Sequence, residues 1–370
     1  MLTQPAQTAL CRTHVELGAK MSPFGGFLMP IVYSSILDEH RAVRTAAGMF
    51  DLSHMGQFVL SGDGVAGWLD ELTVNEVATM KPNQARYNMF TNSRGGVHDD
   101  VILYQLPGHW LLVVNAGNTE KIWQLLTAAL PPGISLFNRT LESALIAVQG
   151  PRAVEILKPL CDFDVATLRY YYAGQGTVGG IAAEVARTGY TGEDGFELFI
   201  QAGSAQALWD HLGEAGAGYG LLPAGLGARD VLRLEAGMPL YGHELSEDIT
   251  PLMGGQQWAV RFDKPSFSGK EALERQRLGG AFDRIAGLVM DGKAPARAGY
   301  PVSFEGQIVG QIRSGAPAPA LGGKNIATAL LKRPAADVGT RLAVEIRGAQ
   351  HMATVVPMPF YKRLRSGERS

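Results

Sequence analysis

The segment GGVHDDVILYQL, residues 95–106, predicts a β-strand that carries two adjacent carboxylates after a glycine turn. Successive side chains of a strand point to opposite faces, so Asp99 and Asp100 must point in opposite directions. Asp99 shares its face with valines and a leucine, and Asp100 shares the other with Ile102 and Tyr104. Both faces are largely apolar, so one of the two acids is expected to lie where a carboxylate is costly to bury.

Strand-like and helical patterns alternate on both sides of this segment. The strand-like runs are GQFVLSG, HWLLVVNA, ALIAVQG, IAAEVART and FELFIQ. The helical patterns are GVAGWLDEL, NTEKIWQLLTAAL, PRAVEILKPL, AQALWDHLGEAG and ARDVLRLEAG. This mixture predicts an α+β class, and the short turns between several strands favour antiparallel sheets.

The pattern changes from about Phe282, where strands follow one another through glycine-rich turns with almost no helix. Such a stretch is typical of a separate small β-barrel or β-sandwich. The helical pattern at 268–280 would link it to the preceding part of the chain.

Length and composition narrow the class of protein. A chain of 370 residues suggests two or three domains, and a net charge of −2 offers no basic face for nucleic acid. Cys11 and Cys161 lie far apart, which disfavours a disulfide framework and suits a reducing compartment. Since we find neither a run of eighteen apolar residues nor a signal sequence, we expect a cytoplasmic protein without a membrane partner.

The common cofactor motifs are incomplete. Residues 62–67 match the glycine spacing of a dinucleotide fingerprint, but the acid expected about 20 residues later and the βαβ rhythm are missing. His98 with Asp100, and His243 with Glu244, each lack a third metal ligand. The sequence therefore predicts neither a flavin nor a metal.

Two charged residues fall in patterns that leave alternatives open. Glu197 lies inside the short strand FELFIQ, where it is either a solvent-facing group on an edge strand or a buried ligand-binding group. Arg229 falls in the first turn of a helix, a position at which the helix dipole disfavours a cation. It therefore serves a carboxylate or a ligand, or else is a solvated surface arginine.

Long segments spread over nearly the whole chain carry a more specific signal. They are PFGGFLMPIVY, FDLSHMGQFVLSG, ARYNMFTNSRGGVHDD, VVNAGN, ALIAVQGPRA, RTGYTGEDGFE, GLGARDVLRLEAGMPLYGHEL and MPFYKR. Together they resemble the aminomethyltransferase (T-protein) family of the glycine cleavage system, within a wider group of folate-binding proteins. Phe27 departs from this pattern, since it stands where the family usually has tryptophan.

The resemblance implies a particular α+β architecture. We expect a three-domain cloverleaf with mixed and antiparallel sheets around a central folate channel, and a C-terminal all-β barrel domain. The folate-binding domain would be discontinuous, at 1–52 and 138–267, with an inserted α+β domain at 53–137. A linker helix and the β-barrel domain would follow at 268–370.

The resemblance also implies the site residues and the reaction. Asp100, the second acid of the HDD sequence, matches the catalytic aspartate of the family. The positions that line the folate site are matched by Tyr87, Asn115, Tyr190, Glu197, Arg229 and Tyr361. Tetrahydrofolate would be the co-substrate, and the partner would be the lipoylated H-protein, which carries an aminomethyl group.

Elementary chemistry agrees with this assignment. A pterin ring presents a 2-amino group beside a ring N–H, and one carboxylate such as Glu197 can accept both. Tyr87 and Tyr190 can pack on the ring or on the aminobenzoyl group. A positioned carboxylate near folate N10 suits the proton transfers of aminomethyl transfer, which is the role expected of Asp100.

Three other functions compete with this one. A folate-dependent demethylating enzyme would carry such a module after a flavin domain of several hundred residues, and we expect no such domain in this chain. A non-catalytic folate-binding module would tolerate the loss of Asp100 or Glu197, and both are present. A paralogous group involved in tRNA modification is disfavoured because its reactive cysteine is missing from RTGYTGEDGFE.

Overall fold

The computed structural model describes residues 4–363, which divide into two compact units. Unit 1 comprises the chain up to Asp70, Glu76–Asn88 and Val101–Arg229, and unit 2 comprises Glu71–Asn75, Met89–Asp100 and the chain from Asp230 onward. Each unit is described by itself below.

Strands and helices are interspersed up to residue 235, and strands predominate after it. The strands are β1 Ala6–Gln7, β2 Lys20–Phe24, β3 Phe27–Val32, β4 Ala47–Asp51, β5 Gly56–Ser61, β6 Ala85–Thr91, β7 Val97–Leu106, β8 His109–Val114, β9 Ser135–Asn138, β10 Ser143–Gln149, β11 Ala173–Val178, β12 Ile181–Ala186, β13 Gly195–Gln201, β14 Leu221–Pro223, β15 Arg284–Met290, β16 Pro301–Phe304, β17 Gln307–Ala318, β18 Lys324–Leu331, β19 Arg341–Ile346 and β20 Ala349–Val356. The α-helices are α1 Cys11–Glu16, α2 Ile36–Thr45, α3 Val65–Leu72, α4 Thr119–Ala128, α5 Ala153–Leu157, α6 Ala205–Ala217, α7 Leu226–Glu235 and α8 Lys270–Gly279.

A six-stranded sheet forms the centre of unit 1, in the order β11-β12-β13-β10-β4-β14. Every residue of β10 is buried, and Ala144, Ile146 and Val148 on one of its faces join side chains of α5 and α6 in one hydrophobic core. The strands around β10 pair antiparallel, whereas β14 joins β4 in parallel. Because β13 lies inside this sheet, its side chains are held from both sides.

The glycine-rich segment at 62–67 follows β5 and runs into the first turn of α3, as a dinucleotide fingerprint would. However, β5 pairs antiparallel with both β8 and β9, so the parallel βαβ unit that the fingerprint requires is absent here. Gly62 has a backbone φ of +117°, and a Cβ on it would lie 2.2 Å from the carbonyl oxygen of Gly133. The close approach of two backbone segments explains this glycine without a ligand.

Strand β7 contains the acid pair and shows the predicted alternation. Asp99 is 0% exposed, whereas Asp100 is half-buried, and the same alternation continues through Val101 and Ile102. Asp99 is thus the acid in the costly position, and Asp100 remains accessible.

Unit 2 contains a closed six-stranded barrel, in the order β15-β18-β17-β16-β19-β20. Small and branched apolar side chains fill its interior, among them Leu288, Ala327 and Val344. The predicted linker helix is α8, which begins and ends at the left-handed glycines Gly269 and Gly280. The barrel is the correct alternative, and the sandwich is wrong.

The α+β class and the C-terminal barrel are confirmed. The three-domain boundaries stay a prediction, and their outermost residues, 1–3 and 364–370, lie outside the described residues. The strands β1, β9 and β14 escaped the sequence analysis because two to four residues are too few to show alternation, and the helix α2 was also not predicted. Within residues 4–363 no helix is both long enough and apolar enough to cross a membrane.

Candidate active site

Glu197 occupies a central strand, not an edge. Strand β13 pairs with β10 on one side and β12 on the other, and the residues directly opposite Glu197 are Ala147 and Ala186. Two small neighbours leave room around a carboxylate that is half-buried. The edge-strand alternative is therefore wrong, and the alternative of a ligand-binding group remains.

Two hydroxyl groups converge on one oxygen of this carboxylate. The Tyr104 hydroxyl donates a hydrogen bond to Glu197 Oε2 at 3.1 Å, and the Thr188 hydroxyl donates to the same oxygen. Tyr104 and Thr188 are both buried. Buried hydroxyls that donate to a carboxylate compensate part of its desolvation.

Arg229 and Tyr190 form a second group of the same unit. The guanidinium carbon of Arg229 lies 4.7 Å from the centre of the Tyr190 ring, within cation–π range. Burial lowers the pKa of Arg229, although the Tyr190 oxygen and the Glu197 carboxylate act in the opposite direction. An arginine keeps its charge at neutral pH even so. Arg229 thus presents its cation next to an aromatic face, which a planar ligand could extend.

The entrance of α7 is shaped by close packing. A Cβ on Gly225 would lie 2.3 Å from the carbonyl oxygen of Ile31, so only glycine fits. The backbone N–H of Gly225 donates to Glu39 Oε2 at 2.9 Å. This contact fixes the start of the helix that carries Arg229.

A buried histidine lies near these groups. His54 is 2% exposed, and its Nδ1 atom has no hydrogen-bond partner among the described residues. Burial lowers the pKa of His54 to about 4, and the Arg229 charge adds to this effect, against the attraction of Asp51. His54 is therefore neutral at physiological pH.

Both carboxylate oxygens of Asp51, the residue whose charge attracts His54, have partners of their own. Its Oδ2 is 2.9 Å from His14 Nε2 and accepts a hydrogen bond from the Thr8 hydroxyl at 2.7 Å. Its Oδ1 accepts from the Ser53 N–H at 2.9 Å. Although burial acts to raise its pKa, these donors hold the pKa of Asp51 below its usual value.

The other residues expected at the site fall into both units. Tyr87 and Asn115 belong to unit 1 with Tyr190, Glu197 and Arg229, and both are half-buried. Asp100 and Tyr361 belong to unit 2 and are half-buried there. The grouping of all seven residues around one ligand stays a prediction.

Two protein-family models match most of the chain. Residues 10–264 match the family model described as the GCVT N-terminal domain, and residues 284–362 match the glycine cleavage T-protein C-terminal barrel domain. The chain belongs to the glycine cleavage T-protein family.

Full-length relatives of the T-protein family share nearly half of its residues. An aminomethyltransferase of Deinococcus deserti is 46% identical over 98% of this chain and 99% of its own length. One of Streptomyces avermitilis is 45% identical over 97% of this chain and 98% of its own. The crystal structure of the glycine cleavage system aminomethyltransferase T from Bartonella henselae matches with a TM-score of 0.90, at 32% identity, over 96% of this chain and 98% of that one.

The sequence analysis of this T-protein family member did not predict a role at the site for three residues, Tyr104, Thr188 and His54. Tyr104 and Thr188 stand in predicted strand segments as ordinary polar or aromatic residues, and their contact with Glu197 joins positions 93 and 9 residues apart. His54 lies in the FDLSHMGQFVLSG segment, which carried the resemblance, but nothing local announces that its ring is buried. The one sequence signal for His54 is that a polar residue stands within a mostly apolar segment.

Among residues 4–363, no group of three or more His, Cys, Asp or Glu side chains could hold a metal ion. His98 Nδ1 lies 3.3 Å from Glu247, and His243 Nδ1 contacts the Arg313 carbonyl oxygen at 2.6 Å. Independence from metal and flavin stays a prediction.

Proposed function

We propose that this chain transfers the methylene carbon of an aminomethyl group, carried on the lipoyl arm of H-protein, to tetrahydrofolate. The products are 5,10-methylenetetrahydrofolate, ammonia and dihydrolipoyl H-protein. Membership of the family over the full length supports folate-dependent aminomethyl transfer. The observation that carries the assignment to this site is Glu197, a charged acceptor in the middle of a sheet with one oxygen left for a ligand.

The reaction exchanges two bonds of the methylene carbon. Its bonds to the lipoyl sulfur and to the amine break, and bonds to N5 and N10 of tetrahydrofolate form. The hydrogens that leave the two folate nitrogens end on the thiol and on ammonia. No electron is gained or lost, so the residues need only bind, orient and move protons.

The residues divide into two roles. Glu197 accepts N–H groups of the pterin ring, while Tyr190 with Arg229 provides an aromatic and cationic face beside it. Tyr87, Asn115 and Tyr361 are assigned to the remaining contacts with folate by their match to the family. Asp100 is assigned to proton transfer at folate N10, where a half-buried carboxylate can exchange protons.

The direct test is ammonia release from aminomethyl-loaded, lipoylated H-protein on addition of tetrahydrofolate. We expect ammonia and methylenetetrahydrofolate in equal amounts, and neither product when unlipoylated H-protein replaces the loaded form. A protein that binds tetrahydrofolate but releases no ammonia would be a binding module, and the proposed reaction would be wrong.

Glu197→Gln tests the pterin assignment separately. A charge-assisted hydrogen bond contributes about 1.5–3 kcal/mol, so the Kd for tetrahydrofolate should rise roughly tenfold to a hundredfold. Calorimetric titration without H-protein measures this change in the absence of turnover. Unchanged affinity in a folded variant would remove Glu197 from the ligand site.

A further inference from the structure

The two carboxylate oxygens of Glu197 differ in their hydrogen bonding, because the Tyr104 and Thr188 hydroxyls both donate to Oε2. A carboxylate oxygen offers about two lone-pair positions, and Oε2 receives two O–H donors, from Tyr104 and Thr188. Oε1 has no hydrogen-bond partner among the residues that the structure describes. A donor from a ligand therefore meets a free acceptor only at Oε1.

The positions of the two hydroxyls are themselves fixed. The Tyr104 ring is 1% exposed and packs edge-on against Phe199, with ring centres 5.3 Å apart. The Thr188 carbonyl oxygen accepts a hydrogen bond from Gln149 Nε2 at 3.0 Å. The two hydroxyl oxygens lie 3.3 Å from each other. These contacts fix the Tyr104 ring and the Thr188 backbone, so both hydroxyl oxygens are held beside Glu197 Oε2.

The phenol of Tyr104 also remains a donor at any physiological pH. Burial raises its pKa well above the ordinary value, and the Glu197 charge raises it further. The phenol therefore keeps its hydrogen and can donate it to Glu197 Oε2.

We propose that Tyr104 and Thr188 are positioning residues for Glu197, which they hold so that Oε1 alone receives the N–H donors of the pterin ring. This inference rests on the proposed function. The carboxylate that the sequence analysis expected to accept both N–H groups would thus accept them at one oxygen, Oε1, and from a defined direction. A ligand without an N–H at that position leaves Oε1 unpaired, so the arrangement selects for the 2-amino-4-oxo edge of folates.

The experiment uses Tyr104→Phe and Thr188→Val, with Thr188→Ser as the matched control that keeps its hydroxyl. Tetrahydrofolate alone is titrated calorimetrically, without H-protein, and turnover is measured separately at increasing folate. We expect each hydroxyl deletion to raise the Kd about tenfold, with KM rising in parallel. Because neither residue touches the reacting atoms, kcat at saturating folate should change less than about twofold. Thr188→Ser should behave as wild type.

A double-mutant cycle separates positioning from mere stabilisation of the fold. In the Glu197→Gln background, Tyr104→Phe should weaken binding by less than about twofold, since there is no carboxylate left to orient. Losses that simply add, or wild-type affinity in both folded hydroxyl variants, would overturn the inference while leaving the function in place. Absence of tetrahydrofolate binding by the wild-type protein would instead overturn the proposed function, and the inference with it. If Tyr104→Phe does not fold, the comparison of Thr188→Val with Thr188→Ser still tests the inference. If Thr188→Val does not fold, Tyr104→Phe tests it.

Discussion

At the scale of single residues, Asp99 and Asp100 have the same side chain but differ in exposure to solvent. Asp99 is fully buried on one face of β7, and Asp100 is partly accessible on the other. A buried carboxylate affects mainly the free energy of folding, whereas an accessible one can exchange protons with a substrate.

Asp100→Asn removes the charge with almost no change in shape. If Asp100 handles a proton in the reaction, single-turnover ammonia release should slow by about 10²–10⁴-fold, with folate affinity preserved. Asp99→Asn is the matched control on the same strand. It should lower the thermal midpoint and have the smaller effect on rate. Loss of turnover in Asp99→Asn, together with normal turnover in Asp100→Asn, would show that the roles are reversed.

His54 should make the protein sensitive to acid. Its pKa is about 4 in the folded protein and near 6.5 in the unfolded chain, so the unfolded state binds the proton first as pH falls. The stabilisation is complete above pH 6.5 and is lost between there and pH 4, on the order of 2 kcal/mol by pH 5. Thermal midpoints at pH 7 and pH 5 measure it. His54→Gln should lose less stability over this interval than wild type, and equal losses would contradict the assigned pKa.

At the scale of elements, a buried ion pair within unit 2 joins Arg233, in the last turn of α7, to Glu244 next to the barrel strands. Arg233, 1% exposed, lies 2.9 Å from Glu244 and donates to the Ser314 hydroxyl of β17 at 2.7 Å. The Thr328 hydroxyl of β18 donates to Glu244 as well. Although burial acts to raise the pKa of Glu244, Arg233 and Thr328 hold it below its usual value.

Arg233→Met should be strongly destabilising. It leaves the Glu244 charge buried without its cation, which costs about 3–5 kcal/mol. Thermal unfolding measures the loss, and the double variant Arg233→Met/Glu244→Leu should recover part of it. Arg341→Ala serves as control, because it breaks the exposed Arg341–Asp291 pair and should barely move the midpoint. A small loss in Arg233→Met would mean that water reaches Glu244.

At the scale of the whole molecule, the expectation is that no metal or flavin takes part. Methylene transfer from a thioaminal to two amines involves no oxidation, so protein side chains can supply the necessary chemistry. Activity should survive exhaustive chelation, and the purified protein should show no visible absorbance. Restoration of a lost activity by one divalent ion would contradict this prediction.

The sequence alone determined the features that depend on local periodicity. Alternation along 97–106 placed Asp99 and Asp100 on opposite faces, and the strand-rich segment after Phe282 predicted an all-β domain. The strand and helix segments from GQFVLSG to ARDVLRLEAG correspond to elements of the structure, because their apolar positions repeat with the period of the element.

Tertiary structure decided what depends on which strands become neighbours. Because β13 lies between β10 and β12, Glu197 is in a central strand and not at an edge. The tertiary structure also places the Tyr104 hydroxyl within hydrogen-bond distance of its carboxylate. The burial of His54 was equally invisible, because neither exposure nor a missing hydrogen-bond partner is a property of the local sequence. Strand order and packing are long-range properties, since a hydrogen bond between residues 104 and 197 leaves no periodic signal at either position.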